Sequence, residues 1–290
     1  MCLNLFPQTN LEMKNVLIPT DFSENSWNAI NYALNFFEKE RCSFYVLHVN
    51  NTSNKGVNNT PKDQEDIKNS DPKTSKKQLR TLLDRIAAEF PKNKNHQFFT
   101  LTDTNFFITS IRKHIEEKKI DLIVMGTKGA TDKNELIIGS NTTNVIVKVP
   151  CNTLIIPEKA IFDGLKEVAF PTDFSLAYGI EALQPLSEVL EKNQADLHLL
   201  HFRKEGAELN GYQLANKELM EDYFSKPKPS FHFLNHKETE DAVQQFTDSK
   251  AIDMMVMMAK NLNYFQQILF HNKVEKSSYH TKIPLLVLHE

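Results

Sequence analysis

The amino-acid sequence predicts an α/β protein built of two tandem, doubly wound, parallel five-stranded sheets with helices on both faces. Three observations carry this reading. Apolar runs of strand length alternate with segments of helical period. One short signature is written twice. A chain of 290 residues is long for a single core and comfortable for two.

The signature is Val16-Leu17-Ile18-Pro19-Thr20-Asp21-Phe22-Ser23, which returns as Val168-Ala169-Phe170-Pro171-Thr172-Asp173-Phe174-Ser175, an offset of 152. A second pairing sets Ile120-Asp121-Leu122-Ile123-Val124-Met125 against Ile252-Asp253-Met254-Met255-Val256-Met257, an offset of 132. It runs without a gap to Thr153-Leu154-Ile155-Ile156 against Leu285-Leu286-Val287-Leu288. The middle of the second copy is therefore about twenty residues shorter. Residues 51–77, rich in Asn, Lys, Asp and Ser, account for the difference. Such composition buries too little apolar surface to order itself, so a mobile polar insertion is expected there.

In the first copy, strands are expected near 15–20, 43–49, 96–101, 120–126 and 152–157. Between them Trp27, Ile30, Leu34 and Phe37 share one helical stripe, as do Leu79, Leu82, Leu83, Ile86 and Phe90, and then Ile108, Ile111 and Ile115. The second copy repeats the order, with strands near 166–171, 196–202, 230–234, 252–258 and 284–289. Pro185 lies inside its first helix and is expected to kink or split it. Strands alternating with helices give a parallel sheet with right-handed crossovers. The domains are read as 13–157 and 165–290, joined by a Pro157 to Gly164 linker; residues 1–12 receive no function.

Composition narrows the partners. A net charge of -3 with 24% charged residues gives no electrostatic reason to expect nucleic acid or an acidic membrane. Cys2, Cys42 and Cys151 are few, odd in number and without CxxC spacing, which argues against a disulfide framework, a zinc site or a redox pair. A reducing cytoplasm is expected, since no apolar run reaches membrane-spanning length and the N-terminus lacks a signal-peptide pattern.

In a doubly wound sheet, ligands sit beyond the carboxyl ends of the strands where the strand order reverses. Two loops of the first copy end strands there. One is Pro19-Thr20-Asp21. The other reads Gly126-Thr127-Lys128-Gly129, nine residues, then Gly139-Ser140-Asn141-Thr142 at the start of a helix. Bare backbone can turn sharply and bring N–H groups close to phosphate oxygens, and a helix N-terminus adds unpaired donors. Ser140 and Thr142 offer hydroxyls, although helix capping is the plainer role for Ser140.

This Gly-x-x-Gly, nine residues, Gly-Ser pattern, together with Pro-Thr-Asp-Phe-Ser after the first strand, resembles the ATP-binding class of universal stress proteins. The resemblance covers the whole chain as two copies. It implies an adenine nucleotide alpha hydrolase-like, Rossmann-like fold. It also implies that Pro19, Thr20 and Asp21 lie at the adenosine, with Asp21 contacting it, and that Val49 meets adenine through its backbone. Met125, Gly126 and Gly129 would line ribose and phosphates, with Gly139, Ser140, Asn141 and Thr142 on the phosphates. Lys128 stands where relatives often have histidine, and either reaches a phosphate or is a solvated loop lysine. Whether ADP or AMP replaces ATP, and whether Mg2+ accompanies it, stays open at this point. The resemblance further implies that Thr153–Pro157 and Leu285–His289 pair across a pseudo-twofold axis, so that one chain forms an intramolecular pseudo-dimer. Association of two chains as a homodimer stays open.

The second copy departs from the pattern. Gly126, Gly129, Gly139 and Ser140 become Met258, Asn261, His271 and Asn272, so no nucleotide is expected there in the family's manner. Met254, Met255, Met257 and Met258 are read as a buried strand in preference to a copper site. His48 and His201, at equivalent strand ends, suggest a repeated packing or hydrogen-bonding role. His271 and His280 show no metal-ligand spacing. No Walker loop, His-Glu-x-x-His or Gly-x-Ser-x-Gly motif is present. A stress-responsive binding and signalling module is favoured over an enzyme, with slow ATP hydrolysis left open. The competing reading is an interaction scaffold with no ligand in either half.

Overall fold

A computed structural model of the chain describes residues 13–50, 72–127, 139–203, 208–225, 228–235, 239–261 and 283–290. In the first half β1 (Lys14–Pro19), α1 (Glu24–Phe36), β2 (Cys42–Val49), α2 (Pro72–Glu89), β3 (His96–Asp103), α3 (Phe107–Lys118), β4 (Leu122–Gly126), α4 (Ser140–Lys148) and β5 (Thr153–Ile156) alternate. The second half follows with β6 (Glu167–Pro171), α5 (Ile180–Asn193), β7 (Asp196–Arg203), α6 (Gly211–Tyr223), β8 (Ser230–Asn235), α7 (Thr239–Lys250), β9 (Met254–Met258) and β10 (Leu285–Leu288).

The two five-stranded halves are parts of one ten-stranded sheet, in the order β3-β2-β1-β4-β5-β10-β9-β6-β7-β8. Within each half all pairings are parallel, and the halves meet through antiparallel pairing of β5 with β10, Leu154 opposite Leu286. Both strands are fully buried at that seam. Left apart, each would expose an apolar edge. The repeat offsets hold in the register: Gly126 pairs with Ile156 as Met258 pairs with Leu288.

The apolar runs form the core. On one sheet face a single cluster crosses both halves, from Val16, Ile18 and Phe44 through Leu154 and Leu286 to Phe170 and Val256. On the other face Leu17, Ile111 and Val145 form one cluster, and Met255, Met257, Val287 and Phe246 another, which also takes in Ile146 and Ile155 of the first half. The four methionines of β9 are all buried, as a core strand requires. Polar contacts add to the seam. Lys14 pairs with Glu40 at 3.5 Å and Glu188 at 3.1 Å, and Lys192 pairs with Glu40. The Asn28 side chain donates to the Pro157 and Ala160 carbonyls of the linker.

Two expectations are corrected. Residues 72–77, read as part of the polar insertion, form the first turns of α2; Leu79, Leu82 and Ile86 bury one face of this helix and so order its polar start. The rest of that insertion, 51–71, lies outside the described residues. Pro185 does not split its helix, since α5 is one element. Instead α5 begins at Ile180, four residues later than α1 by the repeat offset, and runs on through Pro185, its sixth residue, where the ring removes the N–H that would otherwise bond back to the Glu181 carbonyl. No helix among the described residues is long and apolar enough to cross a membrane.

Candidate functional site

Strand order reverses between β1 and β4, so the loops leaving their carboxyl ends flank the switch point of the first half. The β1 loop is tightly built. Thr20 is buried, its N–H donates to the Leu47 carbonyl, and its Oγ1 lies 2.9 Å from Ser26 Oγ. The Phe22 N–H donates to Thr20 Oγ1, which holds Phe22 at φ 64, a left-handed conformation that costs a bulky residue energy. His48 secures this turn, with Nδ1 2.8 Å from the Thr20 carbonyl and its ring 4.5 Å from Phe22. Asp21 is exposed, and its Oδ1 accepts from the Ser23 N–H and hydroxyl. Ser23 in turn caps α1 through the Ser26 N–H.

The second half repeats this turn. Phe174 sits at φ 54, Asp173 Oδ1 accepts from Ser175, and His201 Nδ1 lies 3.0 Å from the Thr172 carbonyl. The shared histidine role is therefore structural in both halves. So is much of the Pro-Thr-Asp-Phe-Ser signature, because it forms the same turn on either side of the seam.

The β4 loop is where the halves differ. Met125 is buried in the first-half core, so only its backbone can face the loop. Gly126 ends the strand against α1, where an added Cβ would come within 2.9 Å of the Asn25 side chain. Lys128 and Gly129 lie outside the described residues. Gly139 donates its N–H to the Thr127 carbonyl at 2.5 Å. Gly139 is the N-cap of α4 and provides no side-chain cap, so Ser140 is the first helical residue and does not cap it. Ser140 and Asn141 are exposed there. A helix start without a side-chain acceptor leaves its first N–H groups for water or an anion.

Thr142 has a different task from the one expected. It is 2% exposed, and its hydroxyl donates to the Gly126 carbonyl at 2.9 Å. Its single proton is thereby committed, so it ties α4 to β4 and does not donate to a phosphate.

At the far side of the same sheet end, Val49 is half-buried and pairs with Asp103. Beyond it lies a polar cluster that the sequence reading missed. Asn50 is buried, donates its N–H to the Asp103 carbonyl, and accepts from Ser75 Oγ at 2.6 Å. The Asp103 carboxylate accepts from the N–H groups of Thr104 and Asn105, from the Asn105 side chain, and from Lys113 at 3.1 Å. Burial raises its pKa, but Lys113 and the two backbone donors outweigh this and hold it below the usual carboxylate range. Buried His114 lies 3.4 Å from the same carboxylate, and burial, then Lys113, push its pKa down. These residues come from α2, β3, α3 and the loops that follow β2 and β3, and they carry no local spacing signal.

In the second half, Met258 replaces Gly126 and is 1% exposed, followed by a 3-10 turn, Ala259–Asn261. The late start of α5 removes the helical turn that a side chain at this position would meet. Helix α6 also covers the β6 loop: Gln213 donates to the Asp173 carbonyl, and buried Asn216 to the Phe174 carbonyl. His271 and Asn272 lie outside the described residues, as does His280.

Residues 12–157 match the family model described as the universal stress protein family. The chain is 25% identical over 156 residues to a universal stress protein of Methanocaldococcus jannaschii (MJ0577), covering 50% of this chain and 96% of that one. It is 26% identical over 146 residues to a second from the same organism (MJ0531), covering 49% and 81%. Among solved structures, a universal stress protein from Archaeoglobus fulgidus aligns over 94% of this chain and 97% of its own, with TM-score 0.64 and 18% identity. That likeness shows that the fold is shared along almost the whole chain.

Proposed function

Since the chain belongs to the universal stress protein family, we propose that its first half binds ATP, or ADP or AMP in its place, and that the chain acts as a nucleotide-responsive stress and signalling module. One observation carries the reading. At the switch point the chain enters α4 on Gly139, an N-cap that offers no side-chain acceptor, and the first turn carries exposed Ser140 and Asn141 while Thr142 ties it to the Gly126 carbonyl at the end of β4. Phosphates would take those N–H groups, the Ser140 hydroxyl and the amide of Asn141. Adenosine would lie toward Asp21 and the Val49 backbone. Lys128 and Gly129 complete the proposed site from outside the described residues.

Mg2+, if it accompanies the nucleotide, would be held through the phosphates. Among the described residues no group of three or more His, Cys, Asp or Glu side chains could ligate one ion. The same residues supply no evident general base, so binding in preference to turnover is proposed, in the cytoplasm. The second half is assigned no nucleotide, because Met258 fills the Gly126 position and α6 covers the β6 loop. Pairing of β5 with β10 supports the reading of one chain as an intramolecular pseudo-dimer.

Isothermal titration with ATP tests this. One site per chain in the wild type, weakened at least tenfold by Gly139→Val in a variant that still melts cooperatively above the titration temperature, supports the reading. A flat titration of nucleotide-free wild type would instead favour a ligand-free interaction scaffold.

A further inference from the structure

The second half carries a side-chain cluster that the first half lacks. His198 on β7 is buried, and its Nε2 lies 2.5 Å from Glu167 Oε2 at the start of β6. Its other nitrogen, Nδ1, lies 3.0 Å from His232 Nε2 and 2.7 Å from Ser230 Oγ, both on the edge strand β8. Ser230 Oγ is 2.9 Å from His232 Nε2, so three potential donors converge on one point. Phe246 of α7 packs its ring 5.7 Å from His198 and 4.7 Å from His232, fixing both imidazoles from above.

The fold does not require this arrangement. Val16 pairs with Phe44 as Val168 pairs with Leu197, so the first-half counterpart of His198 is Tyr45. By the β2–β3 and β7–β8 registers, the counterparts of Ser230 and His232 are Phe99 and Leu101, and Asn15 stands for Glu167. Tyr45 and Phe99 simply stack, 5.0 Å apart. Four positions that are apolar or uncharged in one half have become two imidazoles, a hydroxyl and a carboxylate in the other.

The geometry points to a divalent transition-metal site, with Zn2+ as the representative ion, formed by His198 Nδ1, His232 Nε2 and Ser230 Oγ, with Glu167 as the carboxylate behind His198. Metal–nitrogen bonds of about 2.0–2.1 Å in a tetrahedral shell set donor atoms roughly 3.3 Å apart. The observed separations of 2.7–3.0 Å would have to open by roughly 0.3–0.6 Å. A ligating histidine characteristically gives its second N–H to a carboxylate, which fixes the tautomer and raises the basicity of the ligating nitrogen. Glu167 fulfils that condition for His198. Ser230 and His232 are half-buried, which leaves the remaining coordination positions to water and makes the ion exchangeable.

The test is calorimetric titration of the EDTA-treated full chain with Zn2+. One equivalent is expected, lost in His232→Gln and His198→Gln, and weakened about 10–100-fold in Glu167→Gln, which keeps the shape of the side chain. ATP binding by the first half is expected to be unchanged in all three. A wild type without a stoichiometric site would overturn the assignment and leave the cluster as a hydrogen-bonded relay. Zn2+ binding unaltered by both Glu167→Gln and His232→Gln would overturn it too, placing the ion elsewhere.

Discussion

The Thr142 hydroxyl donates to the Gly126 carbonyl across 2.9 Å, and this bond joins the first turn of α4 to the last residue of β4. It divides two neighbouring hydroxyls by function. Thr142→Val leaves a buried carbonyl without its donor and is expected to cost about 1–3 kcal/mol of stability, with ATP affinity falling as a consequence. Ser140→Ala, at an exposed helix start, is expected to leave the thermal midpoint within error and to weaken ATP alone. Thermal melts paired with titrations separate the two, and equal melts for both variants would show that Thr142 has no tying role.

Gly126 and Asn25 form a second coupled pair. Gly126→Ala places a Cβ 2.9 Å from the Asn25 side chain and is expected to destabilise by about 1–3 kcal/mol. Asn25→Ala in the same chain should recover much of that loss, because it removes the atoms that the new methyl meets. A double-mutant cycle on denaturant midpoints reads the coupling directly. Strict additivity would contradict the contact.

His114 gives the first half an acid sensitivity of known sign. Its folded pKa is depressed by burial and Lys113, so the unfolded state takes up the proton first. The stability that neutral His114 contributes is full above its unfolded value of about 6.5 and is lost as pH falls below it toward the folded value. Asp103, with its pKa held low, contributes above its own unfolded value and loses that contribution only at more acid pH. Replacing His114 by Gln is expected to flatten the stability curve just below about pH 6.5 while leaving the more acid limb. An unchanged slope below that pH would show that His114 does not titrate in this way.

The seam between β5 and β10 should make the two halves unfold together. The single tryptophan, Trp27, lies in the first half, buried under Arg85, whose guanidinium sits 3.9 Å from the ring. Leu286 is in the second half, opposite Leu154. Leu286→Ala is expected to cost about 2–5 kcal/mol and to shift the Trp27 fluorescence transition together with the far-ultraviolet circular dichroism. A Trp27 midpoint that stays put while the dichroism shifts would mean that the halves melt independently.

Much of this architecture can be read from the sequence, because strands buried on both faces are written as continuous apolar runs and the Pro-Thr-Asp-Phe-Ser signature marks the same turn twice. The offset of 132 reappears as strand register. Other features depend on contacts that no local pattern encodes. Residues 72–77 read as polar insertion because their helix is ordered by apolar residues further along. Pro185 read as a kink or a split because an interior proline disfavours a helix, yet buried Ala182, Leu183, Leu186 and Leu190 hold α5 as one element on both sides of it. Thr142 read as a phosphate ligand because spacing does not say which way a hydroxyl is used. The Asn50, Asp103 and His114 cluster, and the pair His198 and His232, exist only once neighbouring strands are in register.

The central claim is an asymmetric tandem, with one nucleotide per chain held in the first half. Native mass spectrometry of the purified protein in the presence of ATP measures this most directly. The account predicts a single added nucleotide per chain, absent in Gly139→Val. Two nucleotides per chain, or one that persists undiminished in Gly139→Val, would contradict it.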